Sequence, residues 1–256
     1  MASATRDFPL RASGFPGQKQ SQSKVETAPP NQAPLLRPGR QVSLLRMPAP
    51  FPAMTRLPLP PAVLVLVLLA ALPELVLLGA DWGLWGSARW RPLAYQNGAF
   101  WAGLLHGWTP NYAAQPVTMF LSYAWLHAGP GHLAGNLLAL AWLGPGVVAR
   151  RGTLGLILLW IAATLGGAAA FGLLATTPAP MVGASGALFG LAAAWTVTEV
   201  QGCSGPRARV VRAVGIILLL IALNAATWVL QGGRLAWEAH LGGFLAGLVL
   251  VLARAR

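Results

Sequence analysis

Charge is scarce in this chain. Only 9% of its 256 residues are Asp, Glu, Lys or Arg, where a soluble domain carries about a quarter. Acids number just six. A water-soluble globule is therefore excluded. Cysteine is scarcer still: Cys203 stands alone, so no disulfide forms within the chain, and no histidine lies near it in sequence to activate a thiol. It reads as an idle reduced thiol. Alternation of apolar and polar residues with period two is also missing. That removes the closed β-barrel, the one non-helical way across a bilayer.

Apolar sequence is what the chain has in quantity. Hydrophobic residues make up 55% and the mean hydropathy is +0.59. A helix crosses a bilayer core in about 20 residues. The apolar runs predict six spans, at about 61–80, 131–149, 153–176, 183–200, 210–230 and 236–253. The expected fold is all-α, a polytopic membrane protein whose six-helix bundle occupies 61–256. Short connections pack the last five spans together.

Residues 1–60 are rich in Pro, Gln, Ser and Arg, with few apolar residues before Leu35. They read as a disordered, cytoplasmic N-terminal segment. Arg and Ser with few acids also fit an organelle transit peptide. Against that, Asp7, Glu26 and the prolines at 29, 30, 34 and 38 interrupt any amphipathic helix. Span one begins too late for a signal peptide and is expected to stay as a helix.

A net charge of +12 invites a nucleic-acid partner, so the placement of the charges decides. Eight basic residues, from Arg6 to Arg56, precede span one. Arg150 and Arg151 separate spans two and three, Arg207, Arg209 and Arg212 separate four and five, and Arg254 and Arg256 end the chain. Only Arg89, Arg91 and Arg234 fall in the alternate segments. Positive charge thus marks every second loop, which puts both termini in the cytoplasm. Basicity reports topology here, and no nucleic acid is expected. Sixteen Arg against two Lys fits a GC-rich bacterial genome, so the expected location is a bacterial inner membrane.

The outer segment 81–130 carries Trp82, Trp85, Trp90, Trp101, Trp108, Trp125 and all three tyrosines. Aromatics at that density favour the membrane interface. Short amphipathic helices are expected, serving either as a brace for the bundle or as a substrate-contacting element.

With the N-terminus inside, even-numbered spans run from outside to inside. His132 and Asn136 open span two, Ser185 opens span four and His240 opens span six. Four polar residues therefore share one shallow depth beneath the outer surface, and intramembrane polar residues mark functional sites. Gly183, Gly186 and Gly190 line span four at helical spacing, and Gly243 and Gly247 lie on the face of His240. Small residues at such spacing let two backbones approach closely, bringing Ser185 to His240. The imidazole then takes the hydroxyl proton as the serine attacks a carbonyl. One helical turn apart, His132 and Asn136 point the same way and supply N–H donors for the developing oxyanion, with the Ser185 backbone N–H. The chemistry calls for no cofactor and no metal. A transporter would more often show charged residues deep in its spans; Glu74 in span one and Asn224 in span five are the only deep candidates, and both read as helix–helix hydrogen-bonding groups.

These blocks resemble a known family. His127-Ala128-Gly129-Pro130-Gly131-His132-Leu133-Ala134-Gly135-Asn136, Gly183-Ala184-Ser185-Gly186 and Ala239-His240-Leu241-Gly242-Gly243 look like the signature blocks of the rhomboid intramembrane serine proteases, in the same order over about 61–253. The resemblance implies a water-filled cavity opening outward and a Ser185–His240 dyad without a third carboxylate. It also implies His132 and Asn136 as oxyanion-hole residues and a supporting role for His127. Phe189 stands where rhomboids often place a tyrosine stacked on the catalytic histidine, and that stacking is expected to survive. The Trp-Arg pair of many rhomboid first loops has no counterpart at Thr118-Met119. With no further span around the six, the chain looks like the simple bacterial form. The implied substrates are membrane proteins whose transmembrane helix unwinds into the cavity. The rival is a catalytically inactive rhomboid-like chaperone or binding protein, a class that usually lacks the serine or the histidine. A soluble GxSxG hydrolase fails because Gly186 follows Ser185 directly.

Overall fold

A computed structural model describes residues 59–254, so the expectation for the N-terminal segment lies outside the described residues but for its last two. Among the described residues there is no strand. The helices are α1 (Pro61–Asp81), α2 (Trp90–Gly98), α3 (Gln115–Ser122), α4 (Pro130–Leu174), α5 (Ser185–Gln201), α6 (Pro206–Leu230) and α7 (Trp237–Ala253), with 3-10 turns at Ala102–Leu105 and Tyr123–Trp125.

α1, α4 and α6 are each long and apolar enough to cross a membrane. α4 runs 45 residues, which as one rod would be about 68 Å long, more than twice a bilayer core. It is two passes. Gly152, at φ 70° and ψ 175°, breaks it, a backbone state open to glycine and strained for other residues. The limbs on either side run over 130–151 and 153–174. α5 and α7, 17 residues each, sit at the short end of the spanning range. The described residues form an all-helical bundle of the kind a polytopic integral membrane protein builds.

Helix ends differ modestly from the sequence reading. α6 begins at Pro206 rather than 210, because proline suits a first helical turn and its missing N–H costs nothing there. Gly183 is not on a helix at all. Its φ of +120° puts it in the bend before α5, so the close-packing glycines of that span are Gly186 and Gly190 alone.

α7 is wedged between α5 and the second limb of α4 on two adjacent glycines. A Cβ on Gly243 would overlap the carbonyl oxygen of Gly186, and one on Gly247 would stand 2.6 Å from that of Gly190. On the other side a Cβ on Gly166 would stand 2.8 Å from the Gly242 oxygen. Backbones this close leave room for no side chain. α5 is the central helix, most of its residues buried. α6 contributes one buried residue, Ile216; it leans on α5, and Arg212 pairs with Glu199 across the two.

The aromatic segment before α4 folds onto this bundle as a brace. Phe100, Met119 and Tyr123 are buried with Ala168, Phe171 and Ala239. The Tyr123 hydroxyl donates to the Thr164 carbonyl at 2.8 Å. Phe100 and Met181 exchange two backbone hydrogen bonds, and the Gly183 N–H donates to the Tyr123 carbonyl at 2.9 Å. The loop thereby grips the chain just ahead of Ser185.

Glu74 makes the helix–helix hydrogen bonds expected of it. It is fully buried in α1, and its partner lies on α2, outside the expected spans. Arg91 of α2 forks onto both its carboxylate oxygens at 2.9 Å, and reaches Asp81 through Nε at 2.6 Å. The ion pairs raise the Arg91 pKa further above its ordinary value, against the lowering effect of burial.

Candidate active site

Ser185 is the first residue of α5, and no side chain caps that helix. The N–H groups of its first turn have no partner within the helix. The bend that presents it requires Gly183. A Cβ there would be strained by φ and would also stand 2.7 Å from His132 Nε2 and 3.5 Å from Asn136 Nδ2. Two nitrogens from α4 therefore converge on the backbone two residues before the serine.

The glycine contact between α5 and α7 determines the next distance. His240, in the first turn of α7 and buried, places Nε2 2.8 Å from Ser185 Oγ. One turn along α5, Phe189 lies flat against the His240 ring, centroids 4.3 Å apart and planes 7° apart. The other ring nitrogen, Nδ1, is 2.6 Å from Asn224 Oδ1 on α6. Beside this group lies a mainly apolar cavity of about 430 Å³, lined by Phe189, Ile217, Asn224, Trp237, His240 and Phe244 among others.

His132 of α4 accepts at Nδ1 from the N–H of Ala128, in the loop just before the helix, at 3.3 Å. An accepting Nδ1 leaves the ring proton on Nε2, the nitrogen beside Gly183. Asn136 is buried and its Nδ2 has no hydrogen-bond partner. Two N–H donors thus face the serine bend, one of them unused. A buried amide without a partner is uncommon, and it is the kind of group that a ligand oxygen completes.

His127 packs edge-on against His132, centroids 5.3 Å apart. It is fully buried. Burial, with His132 alongside, pushes its pKa down to about 4, so the ring is neutral near pH 7. Its carbonyl is held by Tyr95 Oη at 2.6 Å and Arg91 Nη1 at 3.0 Å. Arg91 therefore ties α1, α2 and the His127 loop together. His106 lies apart, its Nε2 on the Gly172 carbonyl at 3.1 Å.

The structure thus gathers Ser185, His240, Phe189, His132, Asn136 and His127 around the Gly183 bend, with Gly186 and Gly243 as the packing surface beneath. Sequence reasoning missed two participants. Asn224 is the helix–helix hydrogen-bonding residue the sequence suggests, and its partner is His240. Its position near the end of one span, just before His240 opens the next, was the available signal. Arg91 is only a charge between spans as far as the sequence goes, and nothing in the sequence links it to His127.

A family model, the Rhomboid domain, matches residues 114–256, more than half of the chain. Among curated proteins, RHOMBOID-like protein 2 of Arabidopsis thaliana is 31% identical over 173 residues, covering 64% of this chain and 45% of that protein. RHOMBOID-like protein 5 of the same plant is 34% identical over 139 residues, 51% of this chain and 41% of its own length. Rhomboid-related protein 3 of Homo sapiens is 28% identical over 151 residues, 55% of this chain and 37% of its own. The matches span less than half the length of each of these relatives.

Proposed function

Because this chain belongs to the rhomboid family, we propose that it is an intramembrane serine endopeptidase, hydrolysing peptide bonds in or near the transmembrane helices of other membrane proteins. The observation that carries this reading is the 2.8 Å separation of Ser185 Oγ and His240 Nε2. Oγ attacks the scissile carbonyl while His240 takes its proton. The carbonyl oxygen, now an anion, is received by His132 Nε2–H, Asn136 Nδ2 and the Ser185 backbone N–H. His240 then returns the proton to the leaving amine. Water, deprotonated by the same nitrogen, cleaves the acyl-enzyme and frees the serine.

The apolar cavity and the bilayer frame favour an extended segment of a membrane helix as substrate. Helix-weakening residues near the scissile bond are expected, since attack requires an unwound strand. A serine-directed fluorophosphonate tests the reading. It is expected to modify the purified protein at Ser185 and to leave the His240→Ala variant unmodified. Absence of labelling in the wild type would favour an inactive rhomboid-like binding protein instead.

On the arginine pattern we place both termini in the cytoplasm and the site near the outer face of a bacterial inner membrane. A reporter fused to the C-terminus is expected to read cytoplasm, and one inserted near Asn97 the outer side. The reverse pattern would turn the site to the cytoplasm.

A further inference from the structure

We propose that Asn224 is a positioning residue of this site, fixing the tautomer and ring orientation of His240 so that Nε2 is free to take the serine proton. The inference rests on the protease reading for its kinetic consequence, though not for its geometry.

The orientation of the Asn224 amide follows from its two contacts. Its Nδ2 lies 3.0 Å from the Leu220 carbonyl of its own helix, and its Oδ1 lies 2.6 Å from His240 Nδ1. Only an N–H donates to a carbonyl, so the amide nitrogen faces Leu220 and the amide oxygen faces the imidazole. An amide oxygen only accepts. His240 Nδ1 must therefore carry the ring proton, which leaves the lone pair on Nε2, 2.8 Å from Ser185 Oγ. That is the tautomer a base requires. The ring has two further degrees of freedom, tilt and rotation about its plane. Phe189 stacked at 7° limits the first, and the Asn224 bond limits the second.

The surrounding cavity is mainly apolar. Asn224 is also outside the packed core, since α6 buries only Ile216. Replacing it removes a hydrogen bond and leaves the core intact.

The test compares Asn224→Leu, which has no acceptor, with Asn224→Asp, which keeps one, in the full-length protein in detergent. Asn224→Leu is expected to lower kcat on a transmembrane substrate by about 10- to 100-fold, the worth of one positioned hydrogen bond, with KM nearly unchanged. Asn224→Asp is expected to restore most of the rate. In protein labelled with 15N-histidine, the His240 signals, assigned by their loss in His240→Ala, are expected to report Nδ1–H in the wild type and the aspartate variant. In Asn224→Leu they should shift toward a mixture of tautomers. A wild-type kcat and an unchanged His240 tautomer in Asn224→Leu would overturn the proposal. Should Asn224→Leu fail to fold, Asn224→Ala serves in its place. If the wild type cleaves nothing, the protease reading falls, and the tautomer comparison still decides the role of Asn224.

Discussion

Phe189 and His240 lie ring against ring, 4.3 Å between centroids and 7° from parallel. Aromatic contacts of this kind are worth about 0.5–1.5 kcal/mol beyond the area they bury. Their direct effect is to hold the imidazole plane that aims Nε2 at Ser185. Phe189→Leu keeps the apolar volume and removes the flat face, so kcat is expected to fall about 3- to 10-fold. Phe189→Tyr is expected to stay near wild type. Equal rates for the leucine variant and the wild type would remove the stacking from the mechanism.

Gly243 controls the spacing of α5 and α7. Its substitution by alanine puts a methyl group on the Gly186 carbonyl, and overpacking of this sort costs about 1–3 kcal/mol. The damage is greatest where the helices meet, so Ser185 and His240 are drawn apart. Gly243→Ala is expected to lose at least 100-fold in kcat/KM, by analogy with other misplaced catalytic groups, and to melt earlier in a thermal scan. A variant that unfolds earlier but cleaves normally would show that the glycines serve stability alone.

The Arg91–Glu74 pair predicts an asymmetric result. Glu74 is fully buried while Arg91 keeps some access to solvent. Arg91→Ala therefore strands a buried carboxylate, a loss of about 3–5 kcal/mol. Adding Glu74→Gln to that variant removes the stranded charge and is expected to recover a good part of the loss. Unfolding midpoints of the two single variants and the double variant check this. An additive double variant would mean that the two side chains do not depend on one another.

The oxyanion assignment gives a graded expectation. Asn136→Ala is expected to lower turnover by about 10²–10³, the usual loss for one oxyanion donor, with little change in KM. Some rate survives through His132 and the Ser185 N–H. His106→Ala, bonded only to the distant Gly172 carbonyl, is expected to match the wild type. Full activity in Asn136→Ala together with a dead His106→Ala would move the site into the first loop.

Much of this is legible in the sequence. Span positions follow from apolar length, and a helix start at the membrane surface fixes the depth of its first polar residue, which is why Ser185, His132 and His240 could be grouped. Gly243 and Gly247 predicted the helix contact because only a missing side chain permits it. What the sequence hid was rotation and loop path. α6 is apolar on nearly every side, so its periodicity does not say which face meets α7, and the Asn224–His240 bond stayed invisible. Gly183 looked helical by spacing because a positive φ leaves no trace in a run of small residues. Arg91 reaches Glu74, Asp81 and the His127 carbonyl through a folded loop, and such non-local contacts have no periodic signature.

The most direct measurement is cleavage of a transmembrane substrate by the purified protein in detergent, set beside its Ser185→Ala variant. The account predicts discrete products from the wild type and a fall of roughly 10⁴ or more in the variant, by analogy with serine proteases that have lost their nucleophile. The variant should keep the wild-type thermal unfolding profile, since it loses one hydroxyl. Cleavage by Ser185→Ala at the wild-type rate would contradict the serine chemistry argued here.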